Sequence, residues 1–315
     1  MSETKLTTVN ALVAEYLAVK QPRWSANTYA AAEPELRRFL AFIGGRELTP
    51  KVIAEYQAEQ HNRTCTPTTR FRAIEWPQRF LEWLEDMEYV GHNRFSKILV
   101  KPPKPLNKVK AFTHAQFEAL KNEAKGTMWY YAIIMAYRTG TRYSDTALMK
   151  WESINFEKRY IQYVPWKSRK TGREAICPFE AGGDLHMVLL ELNDQRHADP
   201  MWARFVCPEM AMTYPMTGIS HAPAIMRYEF DRLRRKVGAA KGLSFHSLRH
   251  AFISRLIKGG TTFSVGSQLT GMASESVFLR YADPDLPTLQ KAIEDMNKGD
   301  DPPEEGTIIK LPGAA

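Results

Sequence analysis

Cysteine is scarce in this chain of 315 residues: Cys65, Cys177 and Cys207 lie far apart and form no Cys-x-x-Cys pair. That excludes a disulfide scaffold or a zinc ribbon and fits a reducing compartment. No stretch approaches the ~18 consecutive apolar residues that would span a bilayer. The amino-terminal MSETKLTTVNALVAEYLAVK has no basic segment followed by an apolar core, so no secretory signal is expected and a cytoplasmic protein is. Internal repeats and low-complexity tracts are missing too. Acids are absent from residues 97–110, where Lys97, Lys101, Lys104, Lys108 and Lys110 alternate with Pro102, Pro103 and Pro105.

What is present is a basic balance, with a formal charge of +8 and a pI of about 9.3. The charge is uneven. From Glu294 onward six acids (Glu294, Asp295, Asp300, Asp301, Glu304, Glu305) oppose Lys298 and Lys310, a net −4 that leaves +12 on residues 1–293. A body this basic favours a polyanionic partner, nucleic acid before membrane, although solubility alone would also account for the charge.

Apolar spacing organises the chain. Residues 8–92 carry helical patterns only: Leu12, Val13, Tyr16 and Leu17 mark a first helix, and Ser25 caps a second that ends at Gly44-Gly45. A third starts after Thr49-Pro50 and a fourth near Thr66-Pro67, with Pro77 predicting a kink or two abutting helices. The proline-lysine stretch reads as a semi-rigid strap suited to tracking phosphates. Beyond it helical patterns dominate again, except that Tyr160–Val164 and Glu174–Cys177 alternate as two strands of a hairpin. The expected organisation is a helical domain over 1–96, a basic linker over 97–111, a second domain over 112–296 and an acidic tail over 297–315.

Four short fragments carry the chemistry: Thr139-Gly140-Thr141-Arg142-Tyr143-Ser144-Asp145, Lys170-Thr171-Gly172, His246-Ser247-Leu248-Arg249-His250, and Gly271-Met272 followed by Tyr281. Arginine donates paired hydrogen bonds to phosphate and stays charged in any site, which qualifies Arg142 and Arg249 as clamps. His246 and Arg249, three apart at a helix start, share one face. Asp145, three residues past Arg142, can hold that guanidinium, or the two can form an ordinary surface pair. Lys170 is the candidate general acid on the hairpin, with Lys167, Arg169 and Arg173 close by. Two arginines in the cleft would favour the Tyr281 phenolate. His246 and His250 also have a zinc-compatible spacing, but no acid lies between them and no third ligand is evident.

In order and spacing these fragments resemble the tyrosine recombinase (phage integrase) family, over nearly the whole chain. The resemblance implies a mainly α fold: an N-terminal helical core-binding (SAM-like) domain and a C-terminal mixed α/β catalytic domain with a small β-hairpin. It implies a site-specific recombinase that cleaves and rejoins DNA through a 3′-phosphotyrosyl bond, without metal, ATP or other cofactor. Tyr281 would be the nucleophile, Arg142 and Arg249 the clamps, Lys170 the acid and His246 a base or orienting group. Arg63, Arg70 and Arg72, near a helix start, would face DNA together with the strap and hairpin cations. The partner would be duplex DNA with short inverted-repeat sites, bound by a homotetramer that is a monomer in solution. A helix after Tyr281, with Leu286, Leu289 and Ile293 on one face, is expected to dock on a neighbouring subunit.

One position departs. Nine residues before the tyrosine the family usually has histidine or tryptophan, which donates a hydrogen bond to the scissile phosphate; here Met272 has no N–H to give. His250, Ser274 or Arg280 are candidate substitutes. The departure also motivates a second reading, a DNA-binding accessory protein that has lost the chemistry. A third is a type IB topoisomerase, against which the helical N-terminal half weighs. The helical pattern begins almost at once, as expected for a compact, Xer-like enzyme without an arm-binding domain.

Overall fold

The computed structural model describes residues 2–91, 95–100, 110–213, 224–281 and 290, with side chains from Val9 onward. The strap residues Lys101, Lys104 and Lys108, the residues Leu286, Leu289 and Ile293, and the tail over 297–315 lie outside these. The described residues divide into two compact units, one up to Val100 and the other from Lys110 onward.

Four helices build the first unit: α1 (Ser2–Lys20), α2 (Ala26–Ile43), α3 (Pro50–Asn62) and α4 (Pro67–Asp86). Their starts follow from short polar side chains. Ser25, Thr49 and Thr66 each accept a backbone N–H three residues on, which satisfies a donor that the first turn leaves orphaned. Tyr16, Leu36, Phe39, Ile53, Tyr56 and Phe80 are buried in one core, where each large side chain contributes roughly 1.5–3 kcal/mol by leaving water.

Pro77 does not split α4, which runs unbroken from Pro67 to Asp86. Proline cannot bond the carbonyl four residues back, that of Ala73. The Tyr56 hydroxyl of α3 donates to Ala73 O instead, at 2.9 Å, so the orphaned acceptor is satisfied from the neighbouring helix. Beyond α4 the buried Glu85 carboxylate accepts from Phe95 N, Ser96 N and Ser96 Oγ at 2.8–3.0 Å. This fixes the segment that carries the exposed Lys97.

The second unit is mixed. In chain order it has α5 (His114–Glu123), α6 (Met128–Thr139), α7 (Tyr143–Ala147), β1 (Ile154–Asn155), β2 (Tyr160–Tyr163), β3 (Ala175–Pro178) and α8 (Asp184–Asp194). Then come α9 (Pro200–Ala203), α10 (Pro208–Thr213), α11 (Ala224–Lys236), α12 (His246–Lys258), α13 (Phe263–Thr270) and α14 (Glu275–Phe278). The strands form one antiparallel sheet in the order β1-β2-β3, with Tyr163 opposite Ala175. β1 has only two residues, too few to show an alternation in sequence.

Helix α6 is buried along most of its surface, as its apolar run Ala132–Tyr137 requires, and α12 packs on it. The crossing depends on Gly140. Its φ of +67° suits glycine, and a Cβ there would lie 2.4 Å from Phe252 Cδ1. Among the described residues, no helix is long and apolar enough to cross a membrane.

Candidate functional site

Gly140 ends α6 and Thr270 ends α13, so each offers carbonyls at the negative end of a helix. Arg249, on the first turn of α12, is only 1% exposed and bridges them. Its Nη1 donates to Gly140 O at 2.6 Å and its Nη2 to Thr270 O at 3.0 Å. Two carbonyls fix the guanidinium without neutralising it. Burial, followed by the field of Arg142, lowers the Arg249 pKa to about 10.

Arg142 precedes α7 as its N-cap. Its Nη1 is enclosed, lies 3.6 Å from Asp145 Oδ2 and has no hydrogen-bond partner among the described residues. Asp145 binds the backbone on both sides of the cleft: Oδ2 accepts from Arg142 N at 3.3 Å and Oδ1 from Trp166 N at 2.7 Å. The carboxylate therefore ties the Arg142 turn to the β2–β3 loop that carries the lysines. It does more than pair with a guanidinium.

His246 and His250 stand edge-to-face on α12, with ring centroids 4.5 Å apart, and the His250 ring lies 5.0 Å from that of Tyr281. Tyr281 ends a short 3-10 turn, Leu279–Tyr281, that follows α14. Ser274 stands at the N-cap of α14, but its Oγ bonds Ser276 Oγ and caps no backbone group. Burial lowers the His246 pKa to about 3 and that of His250 to about 4; nearby cations add to both, so both rings are neutral at pH 7.

The Tyr281 phenol differs from expectation. Arg249, Arg142 and Arg280 pull its pKa down, yet burial outweighs them and the pKa is raised. Loss of water costs the phenolate more than the cations return, so the free protein holds the proton on Tyr281.

The hairpin lysines Lys167 and Lys170 are both exposed, and Lys167 is the last of the charges that lower the His246 pKa. Arg169 stacks on the Trp166 ring and Arg173 is exposed. Lys110 donates to Lys241 O at 3.2 Å. In the first unit Arg72 is exposed, but Arg63 and Arg70 are half-buried, and Arg70 donates to Arg63 O. Among the described residues, no group of three or more His, Cys, Asp or Glu could hold a metal ion, and the second histidine faces Tyr281.

Two features escaped sequence reasoning. Helix α11 exposes Arg227, Tyr228, Arg232 and Arg235, a basic stripe whose spacing was readable. Tyr163, at the end of β2, has its hydroxyl enclosed within the field of Asp145, Arg249 and Arg142. Nothing in the strand pattern distinguishes it from a core tyrosine.

Known proteins share both sequence and architecture with this chain. The tyrosine recombinase XerD of Ralstonia nicotianae is 24% identical over 271 residues, covering 81% of this chain and 83% of its own length. A tyrosine recombinase of Thermosipho africanus is 22% identical, covering 86% and 94%. The Tn1549 transposon integrase in complex with transposon right end DNA superposes with a TM-score of 0.70 at 17% identity, over 92% of this chain and 99% of that one. A lambda integrase tetramer bound to a Holliday junction does so with a TM-score of 0.67 at 14% identity, covering 87% and 77%. The family profile described as the phage integrase family matches residues 110–286, the stretch that contains every residue of the cluster around Tyr281, and the chain belongs to that family.

Proposed function

We propose that this protein is a site-specific DNA recombinase in which Tyr281 cleaves one strand and holds it as a 3′-phosphotyrosyl ester. The observation that carries the reading is the convergence of Arg142, Arg249, His246 and His250 on Tyr281, from four separate stretches of one unit when Asp145 and the β2–β3 loop are included. Guanidinium groups that have no full counterion in a water-poor site call for an anion, and a phosphodiester supplies one.

The step balances without an energy source. Tyr281 Oη forms a bond to phosphorus as the bond to the 5′-oxygen breaks. The phenol proton passes to neutral His246, and the departing 5′-oxygen takes a proton from a hairpin lysine. Attack by a 5′-hydroxyl of another duplex reverses each transfer and restores the tyrosine. The phosphoester bond is conserved, so neither ATP nor a metal ion enters the balance. Bound phosphate also opposes the burial that holds His246 neutral, which prepares it to keep the proton. Pairwise exchange in a DNA-bound tetramer, and a cytoplasmic location, complete the proposal.

The test begins by recovering sites from a randomised duplex pool by binding. A recovered site is then nicked so that the released 5′ fragment diffuses away, and covalent protein–DNA is measured. Wild type should accumulate adduct, and Tyr281→Phe none. Tight binding without adduct in wild type would favour the accessory-protein reading. Relaxation of random supercoiled plasmid without recombinant product would favour a topoisomerase.

Lys170 remains the proposed acid by its Lys-Thr-Gly context, and Lys167, whose charge reaches His246, is the second candidate. A substrate with sulfur at the 5′-bridging position departs without needing a proton. It should restore cleavage only in whichever alanine variant, at 167 or at 170, has lost the acid.

A further inference from the structure

Met272 leaves the site short of a donor, and the position is well packed. It lies in an apolar cluster with Cys177, Phe252, Ile253 and Phe278. The backbone on which it sits meets the base of the β2–β3 hairpin. A Cβ on Gly271 would lie 2.7 Å from Pro165 Cγ and 3.5 Å from Ala175 Cβ. Ala175 is the cross-strand partner of Tyr163. The segment that lacks the donor therefore abuts the strand pair that ends in an enclosed phenol.

That phenol has no use within the free protein. Tyr163 Oη is shielded from solvent and has no hydrogen-bond partner among the described residues. An enclosed hydroxyl without a partner is costly, and a ligand that completes it is one reason such a group is kept. Both clamp arginines act on this one, together with Asp145 and Cys177. Burial raises its pKa, so the group keeps its proton and can donate. His250 also has an enclosed, unpartnered Nδ1, but its ring lies against the ring of the nucleophile Tyr281 itself.

We propose that Tyr163 Oη–H donates a hydrogen bond to a non-bridging oxygen of the scissile phosphate, in the place of the donor that Met272 lacks. The assignment rests on the phosphotyrosyl reading above. Tyr163 forms no covalent bond and keeps its proton throughout; it stabilises the charge that builds on the phosphate as Tyr281 attacks.

Tyr163→Phe removes only the oxygen. On the nicked-site substrate, adduct formation should slow roughly 10²–10³-fold, as when one preorganised transition-state donor is lost. DNA affinity should hold, and the thermal midpoint should stay level or rise, because an unpaired buried hydroxyl has been deleted. Adding Met272→His to Tyr163→Phe should recover about tenfold or more of that loss. Wild-type rates in Tyr163→Phe would overturn the assignment while leaving Tyr281 as nucleophile. A parallel loss of stability, binding and cleavage would also overturn it, because that is the signature of a packing role. If wild type itself forms no adduct, the phosphotyrosyl reading fails and this assignment goes with it.

Discussion

Helix α12 separates two arginine-bearing clefts, and only one of them is built for an anion. On one side a cavity of about 470 Å³ is lined by Arg138, Phe179, Asp184, Phe252, Arg255 and Leu256, among others. Its two arginines share the lining with two carboxylates, Glu180 and Asp184. Arg138 donates twice to Asp184 Oδ2, at 2.8 and 3.1 Å, and Arg255 donates to Tyr137 O while it stacks 3.9 Å from the Tyr137 ring centroid. On the other side Arg142 and Arg249 share one carboxylate, Asp145, whose oxygens are already taken by two backbone N–H groups. Concavity marks the first cleft and unmet charge the second. A binding site is recognised by what its groups still need, and the size of the hollow is a poor guide.

Replacing one arginine on each side should show the sharpest contrast. Arg249→Lys keeps a charge but cannot hold two carbonyls and a phosphate at once, so covalent adduct should form roughly 10²–10³-fold more slowly. Arg255→Lys, two turns along the same helix, should cleave at nearly the wild-type rate. It should instead lose about 1–2 kcal/mol of stability, because the Tyr137 carbonyl and ring lose a fitted partner. Equal losses of cleavage in the two variants would erase the distinction between the clefts.

The histidines sharpen the contrast through pH. In the folded chain both titrate far below the ordinary histidine value of about 6.5. The unfolded chain therefore binds more protons as pH falls below that value, and stability falls with it. Above pH 6.5 the contribution is complete. By pH 5 a loss on the order of 1–2 kcal/mol per histidine is expected, and the loss continues until the folded values of about 3 and 4 are passed. His246→Gln should flatten this acid limb in a denaturation series, whereas removing Asp184 from the other cleft should not. A limb unchanged by His246→Gln would mean that the ring is not held neutral.

The family's order of motifs made the site legible, because arginine, histidine and tyrosine at fixed intervals around helix ends can be read in one dimension. Three of the four N-terminal helices were legible for a similar local reason: Ser25, Thr49 and Thr66 cap them and Gly44 ends the second. What stayed hidden is what folding alone brings together. Pro77 predicts a break only until Tyr56, 21 residues earlier, is seen to bond the stranded Ala73 carbonyl. Tyr163 reads as an inward strand residue until its hydroxyl is found enclosed beside two arginines. The raised Tyr281 pKa was missed because cations can be counted along a sequence and desolvation cannot.

The smallest effect expected lies in the cleft whose charges are matched. Arg138 and Asp184 are partly exposed, 35% and 25% by side chain, so water already screens their attraction. A double-mutant cycle with Arg138→Ala and Asp184→Asn should give a coupling of about 0.2–1 kcal/mol in urea denaturation, and it should weaken as salt rises. Cleavage should be indifferent to all three variants. The pair would then hold α6 to α8 and nothing more, because a cation that already faces its carboxylate gains little from a phosphate. A coupling of several kcal/mol, or a cleavage defect that follows it, would show that this cleft also takes part in the reaction, and unmet charge would no longer be enough to tell the two sides of α12 apart.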